Sequence, residues 1–222
     1  MPLAGGSWCR RPILRAGCAG DSRVVVLSAK QLSSSELISR FGADSYCFCS
    51  TELTANHKAR VFSILEKNMK GLYMKSSWGW NGDSKLDELF DRDSRLLLCF
   101  LTKVKTCCDS GLHVTPPSLP ASLDEPCAFV NFRFEVDTRR PVLYCYEIQL
   151  LEEVRGLRLG RGLLHILYKI AADNQMARVV LTVFRFNSSA YAFFTRNGFT
   201  TDTSDPSRYG QPADYCILSR PP

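Results

Sequence analysis

A chain of 222 residues, 45% hydrophobic and 23% charged, is long enough for one domain that buries roughly 70% of its unfolded surface, so it needs no metal or disulfide to hold a core. No run of 18 apolar residues occurs, which argues against a membrane-spanning helix. The net charge of +6 is dispersed along the chain, which argues against direct nucleic-acid binding; the densest basic group is Arg155, Arg158 and Arg161. Ten cysteines are many, yet Cys47-Phe48-Cys49 and Cys107-Cys108 are too closely spaced for zinc half-sites. They read as reduced thiols that pack as small apolar side chains, with no bound metal.

In chain order, residues 1–40 form an N-terminal extension. Its first twenty residues carry Arg10, Arg11 and Arg15 without an acidic partner, and read as an untargeted tail, with an organelle transit peptide as the alternative. Val24 to Leu27 suggests a short strand, and Ser33 to Ser35 could cap a helix through Ile38. From Thr54 to Tyr73, Val61, Phe62, Ile64, Leu65, Met69 and Leu72 approximate helical spacing. Leu86 to Phe90 could continue a helix, and Arg95 to Leu101 reads as a buried strand. The segment from Thr102 to Glu125, with Pro116, Pro117 and Pro120, is too long for a simple hairpin connection and reads as a surface insertion in a domain spanning 41–222.

Ala128 to Val136 and Val142 to Leu150 predict a hairpin joined through Asp137 to Pro141. A helix from Arg161 to Asn174 would bury Leu163, Leu164, Leu167, Ile170 and Ala171 at spacings of three and four. Val179 to Phe184 is nearly all apolar, as a strand covered on both faces would be. Asn187 or Ser188 caps a last helix from Ser189 to Arg196, which ends at Asn197-Gly198, and Tyr215 to Ser219 supplies the closing strand.

The most informative stretch is LYCYEIQLLEEVRGLRLGRG, Leu143 to Gly162. A β-like run gives way to a loop dense in Arg and Gly that opens into an amphipathic helix. Backbone N–H groups at a helix N-terminus favour an anion such as pyrophosphate, and arginines meet phosphate oxygens with a planar fork of donors. In the strand before it, Tyr144 and Tyr146 share one face and Glu147 points to the other, unless a bulge re-aims it.

The pattern Arg155-Gly156-Leu157-Arg158-Leu159-Gly160 resembles the pyrophosphate loop of the GNAT superfamily. LYMKSSWGW (Leu72 to Trp80), FRFEV (Phe132 to Val136), VLYCYEIQL (Val142 to Leu150), VVLTVFRFN (Val179 to Asn187), AYAFF (Ala190 to Phe194) and YCILSR (Tyr215 to Arg220) together resemble N-alpha-acetyltransferases of the D type, which acetylate the N-termini of histone H4 and histone 2A. The resemblance implies an α/β fold with a mixed, mostly antiparallel sheet flanked by helices, in which two strands splay to form an acetyl-CoA cleft. It also implies that the region from 54 to 73 holds paired first helices. By the same likeness the co-substrate is acetyl-CoA, the partners are histone H4 and histone 2A tails, and the protein is a monomer of nucleus and cytoplasm.

The likeness also implies site roles. Glu147 would be the general base, the alternative being an ion-paired charge at the strand edge. Tyr146 would join Glu147 in catalysis, and Tyr191 would protonate the departing thiolate. Ile148, Gln149 and Leu150 would flank the pantetheine arm, with Asn187 and the loop from Arg155 to Gly160 completing the cofactor site. Tyr73, Trp78, Glu135, Tyr144, Tyr146, Thr182 and Tyr215 would hold the first residues of a Ser-Gly-Arg-Gly-type terminus. Two departures stand out: glutamate replaces the usual aspartate at Glu135, and arginine replaces glycine at Arg158, which costs about 1–3 kcal/mol if φ must be positive. His57, His113 and His165 form no triad in sequence context. Other acceptors remain open, namely another N-terminus, a lysine or a small amine, as does a silent CoA- or peptide-binding module.

Overall fold

The computed structural model describes residues 45–100 and 125–222. The strand expected at 24–27, the helix ending at 38 and nearly all of the insertion lie outside the described residues. Among the described residues one seven-stranded sheet has the order β1-β2-β3-β4-β5-β7-β6. Its strands are β1 (Ser45–Cys49), β2 (Arg95–Phe100), β3 (Pro126–Asp137), β4 (Arg140–Leu150), β5 (Arg178–Phe184), β6 (Thr200–Thr201) and β7 (Tyr215–Arg220). β4 and β5 pair in parallel and every other neighbouring pair is antiparallel. This is the mixed, mostly antiparallel sheet that the resemblance implies; the sequence pattern announces neither β1 nor β6.

Helix α1 (Ala55–Lys75) starts where the Thr54 side chain accepts the His57 N–H at 3.2 Å, satisfying one of the orphan donors of the first turn. It is one 21-residue helix rather than a pair, because no proline interrupts it and Val61, Ile64 and Leu65 keep one stripe against the sheet. Helix α2 (Gly82–Leu89) follows, capped by Asn81 through the Ser84 N–H at 3.0 Å. Between β3 and β4 the turn is two residues, shorter than expected, since the ladder runs to Asp137 opposite Arg140. Thr138 and Arg139 both take positive φ, 47° and 65°, the conformation that matches hairpin twist.

Helix α3 (Leu159–Asp173) begins two residues earlier than the sequence suggests and buries the five expected apolar residues. Gly160 lies where α3 meets α4 (Ser188–Arg196): a Cβ there would stand 3.1 Å from the Phe193 ring, so the helices approach this closely only over a hydrogen atom. Asn187 caps α4 by accepting the Ala190 N–H at 3.3 Å.

Two features set where the sheet opens. β4 pairs with β5 only from Val142 opposite Arg178 to Cys145 opposite Leu181. Beyond that, β4 follows β3 and β5 follows β7, and a gap opens between them. At the same place β4 carries one extra residue: Asn131 faces Glu147 and Phe132 faces Cys145, leaving Tyr146 as a bulge. At the closed end Arg178 bonds Asp137 at 2.8 Å and Asp202 at 2.9 Å, joining the ends of both halves.

Buried Asp205 fixes the approach to β7. Its carboxylate accepts the Ile217 N–H at 2.6 Å and the Ser207 N–H at 2.9 Å, with Arg185 at 3.4 Å. Burial pushes its pKa upward, but the Ser207 hydroxyl, those two N–H groups and Arg185 outweigh burial and hold the carboxyl below the usual range. Asp205→Ala is expected to lower the unfolding free energy at pH 7 by about 2–4 kcal/mol in urea titration. Because the folded pKa is depressed, that difference should shrink as pH falls below about 4.

Candidate active site

The bulge reverses the alternation of β4. In a regular strand Glu147 would face away from Tyr144, but with Tyr146 inserted both side chains line one open cleft. β5 contributes Thr182 and Phe184 to the same cleft, α1 contributes Met69 and Tyr73, and α2 contributes Lys85 and Glu88. Trp78, in the loop after α1, closes the aromatic side; its ring lies 5.2 Å from Phe184 and 4.9 Å from Tyr215. That loop is held from β7's side, where the Asp214 carboxylate accepts the Ser77 N–H at 2.6 Å.

Across the fork of the sheet, the Tyr144 hydroxyl and the Thr182 hydroxyl share a 2.6 Å hydrogen bond. The Tyr146 hydroxyl donates to Glu135, and the Arg133 guanidinium lies over the Tyr146 ring at 4.4 Å. Arg133 is itself anchored on Ser94 at 3.0 Å. Opposite, buried Lys85 donates to the Tyr73 hydroxyl at 2.8 Å and to Glu88 at 2.6 Å.

Glu147 faces this space with its carboxylate accepting from Gln149 Nε2 at 2.8 Å. Burial pushes its pKa up from an ordinary 4.5 to about 7; Lys85 and the Gln149 bond pull it down, and Glu88 pushes it further up. A carboxylate half ionised near neutrality can take a proton from a group of similar pKa.

The loop ahead of α3 has the geometry of an anion site. The first intrahelical backbone bond at this end runs from the Gly162 N–H to the Arg158 C=O at 3.1 Å, so the helix itself leaves the N–H groups of Leu159, Gly160 and Arg161 unpartnered. Gly156 takes φ +79° with open space where a Cβ would be, and exposed Leu157 follows it. Arg158 takes φ +65°, the left-handed conformation that glycine accommodates without strain. Its guanidinium and that of Arg161 are on exposed residues.

Arg155 is turned inward instead, onto the Leu150 carbonyl at 3.2–3.3 Å and Asn68 of α1 at 2.8 Å. The ladder alternates, and the Leu151 N–H bonds Cys127 of β3, so the N–H and C=O groups of Ile148 and Leu150 point to the parted side of β4. The Leu150 carbonyl accepts from Arg155 and Asn68 there.

Of the residues singled out from sequence, Tyr73, Trp78, Tyr144, Tyr146, Glu147 and Thr182 meet around the cleft, with Glu135 joined through Tyr146 and Tyr215 through Trp78. Tyr191 and Asn187 sit outside it, at the first turn of α4, where Tyr191 is exposed and Asn187 is the cap. His57 packs edge-on to Phe100 and His165 is exposed on α3; His113 lies outside the described residues. Sequence reasoning missed Lys85, Glu88, Phe184 and Asn68. Lys85 and Glu88, three apart on a helix, read as an ordinary solvated pair; Phe184 was within reach, since it shares the Thr182 face at a period of two.

The family model described as the acetyltransferase (GNAT) family matches residues 88–199, half of the chain. The chain belongs to the GNAT acetyltransferase family. Solved structures with a similar fold include Arabidopsis thaliana NAA60 in complex with a bisubstrate analogue, 11% identical over 80% of this chain and 99% of that one, with a TM-score of 0.54. The NatC complex bound to Gag peptide and CoA contains a chain 11% identical over 81% of this chain and 99% of its own, with a TM-score of 0.52. The PaiA N-acetyltransferase of Thermoplasma acidophilum, in complex with coenzyme A, is 14% identical over 81% and 100%, with a TM-score of 0.52. At these identities the likeness shows the GNAT fold, with its mixed sheet parted between two strands.

The raised pKa of Glu147 has a sign. Between pH 4.5 and 7 the folded chain holds a proton at Glu147 that the unfolded chain has lost, so stability falls as pH rises through this window. Glu147→Gln should therefore be more stable than the parent at pH 8, by about 1–3 kcal/mol in denaturant titration, with the advantage gone below about pH 4. Arg158→Gly should raise the unfolding free energy by about 1 kcal/mol in the same assay, because it relieves a left-handed arginine.

Proposed function

We propose that this GNAT acetyltransferase moves acetyl from acetyl-CoA to the N-terminal α-amine of proteins, with Ser-Gly-Arg-Gly-type tails, those of histone H4 and histone 2A, as acceptors. The observation that carries the reading is the Glu147 carboxylate, half ionised near neutrality, set at the fork of β4 and β5 beneath an aromatic wall. An α-amine has a pKa of about 7.7–8.0, well below the roughly 10.4 of lysine, so a base of this strength suits an N-terminus.

The co-substrate is acetyl-CoA, which supplies an acetyl group activated as a thioester. The residues present fit it: free N–H groups at the start of α3, open space over Gly156, and Arg158 and Arg161 beside them offer donors to a diphosphate. The open edge of β4, beside Gln149, offers the main-chain N–H and C=O of Ile148 and the N–H of Leu150 to an extended amide chain. Asn187 and Tyr191, at the start of α4, are the candidates for a cofactor contact and for the group that protonates the leaving thiolate.

On the acceptor side, Glu147 takes the proton that the α-ammonium must lose, and Tyr146 and Tyr144 orient the amine by their hydroxyls. Tyr73, Trp78 and Tyr215 wall the path of the first residues, and Thr182 fixes the rotamer of Tyr144. Glu135, which accepts from the Tyr146 hydroxyl, is the candidate partner for a substrate arginine. The likeness to NAA60 and the NatC chain, solved with a bisubstrate analogue and with a peptide and CoA respectively, supports a peptide acceptor.

Purified protein, acetyl-CoA and a Ser-Gly-Arg-Gly peptide should give a product acetylated at the α-amine by mass spectrometry, and blocking that amine should abolish turnover; unchanged turnover on the blocked peptide rejects α-amine specificity. Glu147→Gln is expected to lower kcat/KM by about 10²-fold or more. In the parent, kcat/KM should rise with pH through about 7 as Glu147 ionises.

A further inference from the structure

We infer that Asn68 and Gln149 are positioning residues for Glu147, and that with Arg155 they form a one-way hydrogen-bond chain tying the carboxylate to the loop ahead of α3. Arg155 Nη2 donates to Asn68 Oδ1 at 2.8 Å, Asn68 Nδ2 donates to Gln149 Oε1 at 3.0 Å, and Gln149 Nε2 donates to Glu147 Oε2 at 2.8 Å. The chain joins α1, β4 and the loop after it, and Gln149 is buried.

Its direction is fixed by its ends. A guanidinium only donates, and an ionised carboxylate only accepts. Each amide between them must therefore present oxygen toward Arg155 and nitrogen toward Glu147; turning either one over sets oxygen against oxygen and nitrogen against nitrogen. The two amide dipoles line up head to tail with a positive charge at one terminus and a negative charge at the other, the arrangement in which such bonds reinforce one another. A protonated Glu147 offers a less effective acceptor to Gln149. The chain thus opposes the burial that favours the neutral acid, and holds Oε2 at one bearing while Glu147 lines the cleft.

Other groups face Glu147 and contribute in parallel. Lys85 and Glu88 approach from α2, Tyr73 from α1, and Cys145 and the bulged Tyr146 from its own strand, with Arg133 and Glu135 of β3 behind Tyr146. A substitution at Asn68 leaves each of these in place, whereas the chain is cut.

The inference rests on the reading of Glu147 as the base, but its test does not. The Glu147 carboxyl would be titrated directly by NMR in the full chain labelled with ¹³C-glutamate, its signal assigned with Glu147→Gln. Asn68→Leu is expected to raise the Glu147 pKa by about one unit. Arg155→Met should raise it by a smaller step in the parent and by nothing in the Asn68→Leu background. Gln149→Met, which removes the last donor with an apolar side chain of similar length, should reproduce the Asn68→Leu shift and serves if Asn68→Leu does not fold. An unchanged titration in the cut chain, or an Arg155→Met shift of equal size in both backgrounds, overturns the inference.

In turnover assays kcat of Asn68→Leu should fall at pH 7 and recover by about pH 9 with the peptide KM unchanged; a loss that is equal at all pH values would assign Asn68 a merely structural role. If the parent acetylates no peptide, the base reading falls, and the titration still decides the chain.

Discussion

One extra residue in β4 controls the site. A strand side chain can reach only the face that its parity allows, and Tyr146 shifts that parity halfway along the strand. The same insertion bends β4 away from β5 just where their pairing stops at Cys145 and Leu181. Glu147 therefore arrives on the Tyr144 side, at the mouth of a gap, without a neighbouring strand to cover it. Removing the bulge would return Glu147 to the opposite face and leave the cleft lined by tyrosines and aromatic carbon.

The electrostatics of the cleft follow from that placement. A carboxylate brought under Met69, Tyr73 and Trp78 loses water, and Lys85 and Gln149 restore only part of what hydration supplied. The result is a group poised near neutral pH, at a cost in folding free energy that the Asp205 and Arg178 networks offset elsewhere in the sheet. Aromatic contacts do the remaining work: Trp78 bridges Phe184 and Tyr215, so the loop after α1 and the last two long strands form one wall.

Much of this was legible in the sequence because it is encoded locally. The stripe in α1, the five buried residues of α3, the Asn187 cap and the apolar β5 all follow from period and capping. The possibility of a bulge at Glu147 could be named from the residues, but its presence depends on register with β3, which no local pattern states. Lys85 is the sharper case: its sequence neighbours are those of a solvated helix, and only the packing of α2 over the cleft buries it. Asn68 gives a faint signal, a poor helix former midway along a long helix, and its meaning appears only with Gln149 and Arg155 beside it. Arg158 was read as strained if left-handed, and it is left-handed.

The clasp at Arg178 has a mechanical meaning. The sheet consists of two leaves, β1 to β4 and β5 with β7 and β6, stitched by four residue pairs at one end and free at the other. One guanidinium grips a carboxylate from each leaf at the stitched end. Such an object works like a clothes-peg: a fraction of an ångström of slack at the spring becomes a larger change of aperture at the jaws, so the width of the cleft is set from the far side of the sheet.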